Sequence, residues 1–149
     1  MKKLLTSLFA CLLCLAAAAQ EIKWETSVEN LGEGLYRLSL KGAVPEDWHV
    51  YSMYTPDGGP MATSIEFSAG EAVGKAKENE PHKEFDSLFE VEVWSFSEVY
   101  TITQIVRVKD PAAGKIEGTV DYQLCKEGMC TMHSYDFAVS TDVPVKAKQ

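Results

Sequence analysis

Positively charged side chains are scarce in this sequence of 149 residues. Lys and Arg together number 14 against 22 Asp and Glu, which gives a formal net charge of −8 at pH 7. Arginine occurs only at Arg37 and Arg107. Proteins that bind nucleic acids need clustered cations to meet the phosphate groups, so this composition excludes a nucleic-acid partner.

Long hydrophobic runs are confined to the amino terminus. The uncharged run Leu4–Ala19 follows two lysines and ends in alanines. It is shorter than the about 20 residues that a bilayer-spanning helix needs, and it ends in the small residues that a signal peptidase accepts. We predict a cleavable signal peptide over residues 1–19 and one exported domain over residues 20–149. A retained membrane anchor and a lipoprotein modified at Cys11 are the alternatives.

Cysteine is scarce as well. Cys11 and Cys14 lie in the predicted signal peptide, so the exported domain keeps only Cys125 and Cys130. Two thiols cannot form a four-thiolate zinc site. Because exported proteins occupy compartments in which thiols are oxidised, the remaining pair predicts a disulfide.

A helical period is missing from the rest of the chain, which alternates with period two. Gly70 and Gly74 interrupt the one helical candidate, Ala69–Glu80, which we interpret as a loop. Short alternating segments at regular spacing predict an all-β fold, an immunoglobulin-like antiparallel β-sandwich. The predicted strands are Ile22–Glu25, Leu35–Lys41, Trp48–Met53, Ser64–Ser68, Phe89–Phe96, Val99–Val108, Ile116–Leu124 and Thr131–Val139.

The two cysteines flank a predicted four-residue hairpin loop in which Gly128 supplies a positive φ. The alternation of the flanking strands places both sulfurs on the polar face, near the surface. Opposed positions on adjacent strands suit disulfide geometry. Closing so short a loop stabilises a protein by only about 2 kcal/mol. The residue pattern therefore leaves open whether the bond is structural or redox-active.

Two other functions fit the same hairpin. Thiol, thioether and imidazole groups suit Cu(I), and five such side chains cluster here. These residues are Cys125, Met129, Cys130, Met132 and His133. The other function is a binding sandwich with an inert disulfide.

Three segments resemble one known family. Val120–Cys125 followed by Gly128–Cys130 is similar to the cysteine signature of the amino-terminal periplasmic domain of the thiol:disulfide interchange protein DsbD. Pro45–Ser52 resembles the family segment that runs into the active-site face, and Pro81–Ser87 resembles its cap loop. The thiols here are separated by four residues, against five in better-known members.

The resemblance implies a periplasmic electron shuttle with an immunoglobulin-like fold and neither cofactor nor metal. Cys125 and Cys130 would be the redox pair, with attack by Cys130 and resolution by Cys125. The implied site neighbours are Phe85 as the cap, with Phe89 as its rival, and Glu84, His49, Tyr51 and Tyr122.

The resemblance also implies partners. The electron donor would be a membrane-embedded thiol protein, and the acceptors would be oxidised periplasmic thioredoxin-like proteins, disulfide isomerases or cytochrome c maturation factors. After Ala19 the sequence has no second long hydrophobic run and no Cys-x-x-Cys, so we expect a free-standing version of the domain.

Overall fold

The structure is a computed structural model that describes residues 20–110, 112 and 114–147. The predicted signal peptide lies outside the described residues. Within them the chain forms ten β-strands and no α-helix, and therefore no helix that could cross a membrane. The strands are β1 (Lys23–Gly32), β2 (Leu35–Ala43), β3 (His49–Tyr51), β4 (Ser64–Ala69), β5 (Glu71–Glu78), β6 (His82–Asp86), β7 (Val91–Phe96), β8 (Val99–Arg107), β9 (Lys115–Lys126) and β10 (Met129–Ser140).

The strands form two antiparallel sheets. One sheet has the order β1-β2-β8-β5, and the other has the order β10-β9-β3-β7-β6. Strand β4 also pairs with β9, from Glu117 to Asp121, whereas β3 pairs with Leu124 and Cys125 farther along the same strand. The predicted immunoglobulin-like β-sandwich is confirmed. Its six-stranded sheet places β9 in the interior and β10 at an edge.

The core lies between the sheets and is built by alternation along the strands. The fully buried side chains of β8 and β9 are Tyr100, Ile102, Val106, Ile116, Val120, Tyr122 and Leu124. The ring of Trp24 packs among them, with its centroid 5.8 Å from those of Tyr100 and Tyr122. Each large apolar side chain that is fully buried contributes about 1.5–3 kcal/mol. This core therefore outweighs the about 2 kcal/mol that a short disulfide loop supplies.

Two strands occur where the sequence predicted loops. The segment Ala69–Glu80, interpreted as a loop, forms β5, which pairs with β8. Its glycines do not end the strand: Gly70 has a φ of 99° at the junction with β4, and Gly74 has a φ of 71° inside an irregularity of the register. Glycine with positive φ is typical of such bulges.

The cap-loop segment is likewise a strand, because β6 pairs with β7 over five residues. The sequence predicted that this strand begins at Phe89, but β7 begins at Val91, because Phe89 and Glu90 belong to the turn that joins β6 to β7. Glu90 has a φ of 57° in that turn.

Candidate functional site

The β9–β10 hairpin is tighter than the sequence predicts. Lys126 pairs with Met129, so the turn consists of Glu127 and Gly128, with φ values of 48° and 79°. Two consecutive positive φ angles define a type I′ turn, whose twist matches that of the flanking strands. The predicted four-residue loop was wrong because the strand pairing continues one residue pair beyond the cysteines.

The predicted disulfide is present. Cys125 and Cys130 are directly opposite each other in the antiparallel register, with Cα atoms 4.1 Å apart, and their sulfur atoms are bonded. The bond therefore joins an interior strand to an edge strand of the same sheet.

The two sulfur-bearing residues differ in burial. Cys125 is 2% exposed, whereas Cys130 is exposed. The prediction that both lie near the surface was wrong for Cys125. Its side chain leaves β9 on the face away from the main core, as predicted, but Tyr51 and Val93 pack against it and form a second small core with Val91 at its side.

The loop between β3 and β4 completes this cover. A Cβ atom on Gly59 would lie 3.1 Å from Val91 and 3.4 Å from Val93, so the loop backbone runs close above both side chains. At the far end of the loop, the Met61 backbone N–H donates a hydrogen bond to Gln123 Oε1 on β9 (3.0 Å). The loop thus crosses the outer face of the sheet beside Cys125.

Strand β3 brings His49 and Tyr51 to the disulfide. His49 is the register partner of Cys125 and Val50 that of Leu124. Alternation turns Val50 into the main core and leaves His49 and Tyr51 on the face of Cys125. His49 Nε2 is hydrogen-bonded to the Tyr51 hydroxyl at 2.9 Å, and the two rings meet edge to face.

Burial shifts the titration of both rings. Desolvation lowers the pKa of His49 below its ordinary 6.5, against an opposing effect of the Glu84 charge. Desolvation raises the pKa of Tyr51 above 10, and the charges of Asp86 and Glu84 add to this shift. Both side chains are therefore neutral at about pH 7.

Glu84 and Phe85, both predicted to be neighbours of the disulfide, lie on opposite faces of β6. Glu84 pairs with Val93, whose side chain packs on Cys125, so Glu84 lies on the disulfide face. Phe85 pairs with Glu92 and therefore lies on the opposite face, where it is 69% exposed. The structure thus brings Glu84 to the disulfide side of the sheet and leaves Phe85 on the other side.

Phe89, the rival for the cap, is 42% exposed in the β6–β7 turn. Its Cβ atom lies near the covering loop, 4.0 Å from the position that a Cβ atom on Gly59 would take.

Tyr122 is a core residue and not a neighbour of the disulfide. It is 1% exposed, it lies on the face of β9 opposite to Cys125, and its hydroxyl accepts a hydrogen bond from the Ile22 backbone N–H at 3.2 Å. Burial raises its pKa. Its ring stacks on that of His133, with centroids 5.3 Å apart.

The proposed copper ligands do not converge. Cys130 and Met132 share one face of β10, whereas His133 stacks on Tyr122 from the other face. In the part of the chain that the structure describes, no group of three or more His, Cys, Asp or Glu side chains is arranged to hold a metal ion. The geometry does not favour the copper alternative.

Sequence reasoning missed Glu78, which fixes the chain just beyond Tyr51. The Glu78 carboxylate accepts hydrogen bonds from the Ser52 hydroxyl (2.5 Å), the Met53 backbone N–H (2.8 Å) and the Tyr100 hydroxyl (2.5 Å). Glu78 lies on β5, in the other sheet, and therefore ties the end of β3 to the opposite layer. No sequence signal could have found it once β5 was interpreted as a loop.

Fold and site together define a class of protein: an immunoglobulin-like sandwich with a disulfide between one shielded and one accessible cysteine at a hairpin tip. A family model described as "Thiol:disulfide interchange protein DsbD, N-terminal" matches residues 18–141. The chain belongs to this family of thiol:disulfide interchange domains, and the resemblance seen in the sequence is confirmed.

Solved structures share the fold at low identity. The amino-terminal periplasmic domain of ScsB from Proteus mirabilis superposes with a TM-score of 0.62 at 14% identity, over 82% of this chain and 47% of that one. This chain thus spans about half the length of that relative. The reduced amino-terminal domain of DsbD from Neisseria meningitidis gives 0.59 at 12% identity, over 80% of this chain and 84% of the other.

A third structure holds the amino-terminal domains of DsbD and PilB from Neisseria meningitidis in a complex. It matches with a TM-score of 0.50 at 8% identity, over 81% of this chain and 84% of that one. A comparison with curated proteins finds no match.

Proposed function

We propose that this protein is a periplasmic electron carrier that reduces oxidised exported thiol proteins and is itself reduced by a membrane-embedded thiol protein. The acceptors are thioredoxin-like proteins, disulfide isomerases or cytochrome c maturation factors. One observation carries the proposal: the Cys125–Cys130 bond joins an exposed cysteine on an edge strand to a cysteine that is shielded in a small core. This asymmetry suits an exchange reaction that has an attacking and a resolving cysteine.

The reaction begins with both cysteines reduced. The Cys130 thiolate attacks a partner disulfide, so a Cys130–partner bond forms and the other partner sulfur leaves as a thiolate. The Cys125 thiolate then attacks Cys130 Sγ, which restores the Cys125–Cys130 bond and releases the second partner thiolate. Two electrons pass to the partner in total, and the membrane donor returns two electrons to the oxidised pair.

Accessibility supports these roles. A partner disulfide has to approach the attacking sulfur in line with its own S–S bond, which needs open space around that sulfur. Cys130 lies on the edge strand and is exposed, whereas Cys125 is 2% exposed below Tyr51 and Val93. Cys125 is therefore protected from foreign disulfides but is within bonding distance of Cys130.

The amino-terminal sequence and the similar structures support the periplasmic location and the protein partner. The residues 1–19 have the composition of a cleavable signal peptide. The ScsB relative is a periplasmic domain, and the neisserial DsbD domain forms a complex with a domain of PilB.

Trapping with single-cysteine variants tests the proposal. Reduced Cys125→Ser and Cys130→Ser proteins are mixed with a purified, oxidised thioredoxin-like periplasmic protein and run on a non-reducing gel. Cys125→Ser should accumulate a mixed disulfide, because no resolving thiol remains. Cys130→Ser should accumulate little, because its remaining thiol is buried. Equal trapping by both variants would contradict the assigned roles, and trapping by neither would contradict the function.

A further inference from the structure

His49 occupies the position on β3 directly opposite Cys125, on the same face of the sheet. Cross-strand pairs of this kind bring the two Cβ atoms to about 4.5–5.5 Å, within reach of side-chain interaction. The ring is held from its other side by the Tyr51 hydroxyl, which is bonded to Nε2 at 2.9 Å. Tyr51 itself packs on Cys125. An imidazole is therefore fixed next to the buried cysteine and not next to the exposed one.

We propose that His49 accepts the thiol proton of Cys125 when this cysteine resolves the mixed disulfide, and that Tyr51 positions the imidazole for this transfer. The inference rests on the proposed function, since it concerns the second step of that exchange. The proposal assigns the tautomer in which Nε2–H donates to the Tyr51 hydroxyl oxygen, so that Nδ1 has the free electron pair and takes up the proton.

The buried position of Cys125 creates the need for a base. Only a thiolate is a competent nucleophile, and a free cysteine has a pKa of about 8.5 that burial among apolar groups raises further. Cys125 lies among Tyr51 and Val93 and is 2% exposed. Cys130 is exposed to water, which can take up its proton, whereas Cys125 is shielded from water and needs a protein group for that purpose.

The other titratable groups near Cys125 suit this role less well. The ammonium group of Lys126 is engaged in an ion pair with Asp47 at 3.0 Å. Tyr51 is neutral, because burial raises its pKa. Glu84 lies on β6, which is separated from β9 by β3 and β7. His49 is neutral at about pH 7, because burial lowers its pKa, and it can therefore take up a proton.

The charges around His49 favour the protonated ring once it forms. Glu84 raises the pKa of His49 through its charge, and the Tyr51 oxygen can accept a hydrogen bond from Nε2–H. The titratable and charged groups around the groove that His49 lines come from the segment before β3, from β3 itself, from β6, from the turn between β7 and β8 and from β9. They are Glu46, Asp47, Tyr51, His82, Glu84, Glu98 and Lys126.

The step balances as follows. The Cys125 S–H bond breaks and its proton goes to His49 Nδ1. The Cys125 sulfur forms a bond to Cys130 Sγ, and the bond between Cys130 and the partner breaks. The partner sulfur leaves with the electron pair as a thiolate, and His49 then returns the proton to that thiolate or to water.

Reaction of the reduced protein with 5,5′-dithiobis(2-nitrobenzoate) separates the two steps. Attack by Cys130 releases one coloured thiolate, and resolution by Cys125 releases a second one. In His49→Gln we expect an unchanged first phase and a second phase slowed by about 100-fold near pH 7, the scale of general-base catalysis. His82→Gln, on the exposed β6 side of the same groove, is the matched control and should leave both phases unchanged.

The pH profile distinguishes a proton acceptor from a structural residue. The second-phase rate of the native protein should be level between about pH 7 and 8, whereas that of His49→Gln should rise about tenfold per pH unit over the same range, because it then follows the fraction of free thiolate. Tyr51→Phe should slow the second phase less than His49→Gln does and keep the level region. A purely structural loss in His49→Gln would not be recovered at high pH.

Three results would overturn the inference. One is a second phase in His49→Gln that equals the native rate at about pH 7, and another is a loss of rate that high pH does not restore. If His49→Gln fails to fold, the pH profile of the native protein decides alone. The third contradicting result is then a second-phase rate of the native protein that rises tenfold per pH unit between about pH 7 and 8. Failure of the proposed function looks different, because neither single-cysteine variant would then trap the thioredoxin-like protein, whereas the native protein would still release both coloured thiolates.

Discussion

Strands β9 and β10 form one hairpin but experience different surroundings. β9 is an interior strand and buries every second residue from Ile116 to Leu124, and at its end it buries Cys125 as well. β10 is an edge strand whose side chains are mostly exposed or half-buried, with Phe137 as its buried residue. A disulfide between such strands has one sulfur-bearing residue inside the protein and one at its surface.

The comparison shows how a symmetric bond becomes an asymmetric site. The two cysteines are register partners at directly opposed positions of the hairpin. Their difference in burial arises from the residues that cover the outer face of β9. Tyr51 from β3, Val93 from β7 and the β3–β4 loop supply that cover. Substitutions that affect only one of the two strands can therefore test the account.

The largest expected effect is on the stability that each strand provides. Leu124→Ala should lower the free energy of unfolding by about 2–5 kcal/mol, because Leu124 is fully buried and its removal leaves a cavity. Met132→Ala on β10 should change it by less than about 0.5 kcal/mol, because Met132 is 57% exposed. Urea unfolding of the oxidised proteins measures both values. Equal losses would show that β10 is as deeply packed as β9.

A smaller effect is expected from two glycines of the hairpin, one inside β9 and one in the turn that follows it. Gly118→Ala should destabilise the protein by about 1–3 kcal/mol, because the new Cβ atom would lie 2.3 Å from the Glu66 carbonyl oxygen of β4 and 2.6 Å from Phe137. Gly128→Ala, in the turn, meets nothing within 4 Å and should cost about 1 kcal/mol from its positive φ alone. Thermal unfolding compares the two variants, and a greater loss in Gly128→Ala would contradict the close approach of β4.

The sequence predicted the parts of this picture that depend on local pattern. Strict alternation marked β8 and β9, and the spacing of Cys125 and Cys130 predicted their bond. Strand β5 was missed because Gly70 and Gly74 suggested chain breaks, whereas they form irregularities within a paired strand. The identity of β6 was missed because its pairing with β7 has no signal in its own short, polar sequence.

The burial of Cys125 was not predictable from parity. Alternation correctly placed its side chain on the face away from the main core, and a face of that kind is usually exposed to solvent. The cover comes from residues about 30 to 75 positions earlier in the chain, from Tyr51 to Val93, whose meeting depends on the fold of the whole sheet. Tyr122, although close to Cys125 in sequence, lies on the opposite face because the two positions differ in parity along β9.

The next smaller predicted effect concerns the residues that cover Cys125. Tyr51→Ala should speed reduction of the disulfide by dithiothreitol several-fold, because it opens a path to the sulfur of Cys125. Phe85→Ala should change this rate less, because Phe85 lies on the other face of β6. Phe89→Ala tests the β6–β7 turn, and rates are compared only among variants with native circular dichroism. A faster rate in Phe85→Ala than in Tyr51→Ala would make Phe85 the cap.

The smallest effect is a dependence of stability on pH. The pKa of His49 is lower in the folded protein than its ordinary value of 6.5, so the unfolded chain binds more protons as the pH falls through this value. The free energy of unfolding should therefore decrease on acidification below about pH 6.5. The slope should be less than the about 1.4 kcal/mol per pH unit that corresponds to the uptake of one full proton. His49→Gln should flatten this part of the profile in urea titrations, and an unchanged slope would contradict the burial of the ring.

The reduction potential of the Cys125–Cys130 bond tests the central claim most directly. Equilibration with dithiothreitol or glutathione buffers gives this potential, and circular dichroism of the same samples reports the fold. We expect a potential above about −300 mV and an unchanged β-sheet spectrum after reduction, because the bond ties the edge strand β10 to its neighbour and the core is formed without it. A potential well below about −300 mV, or loss of the β-sheet spectrum on reduction, would identify the bond as a structural one.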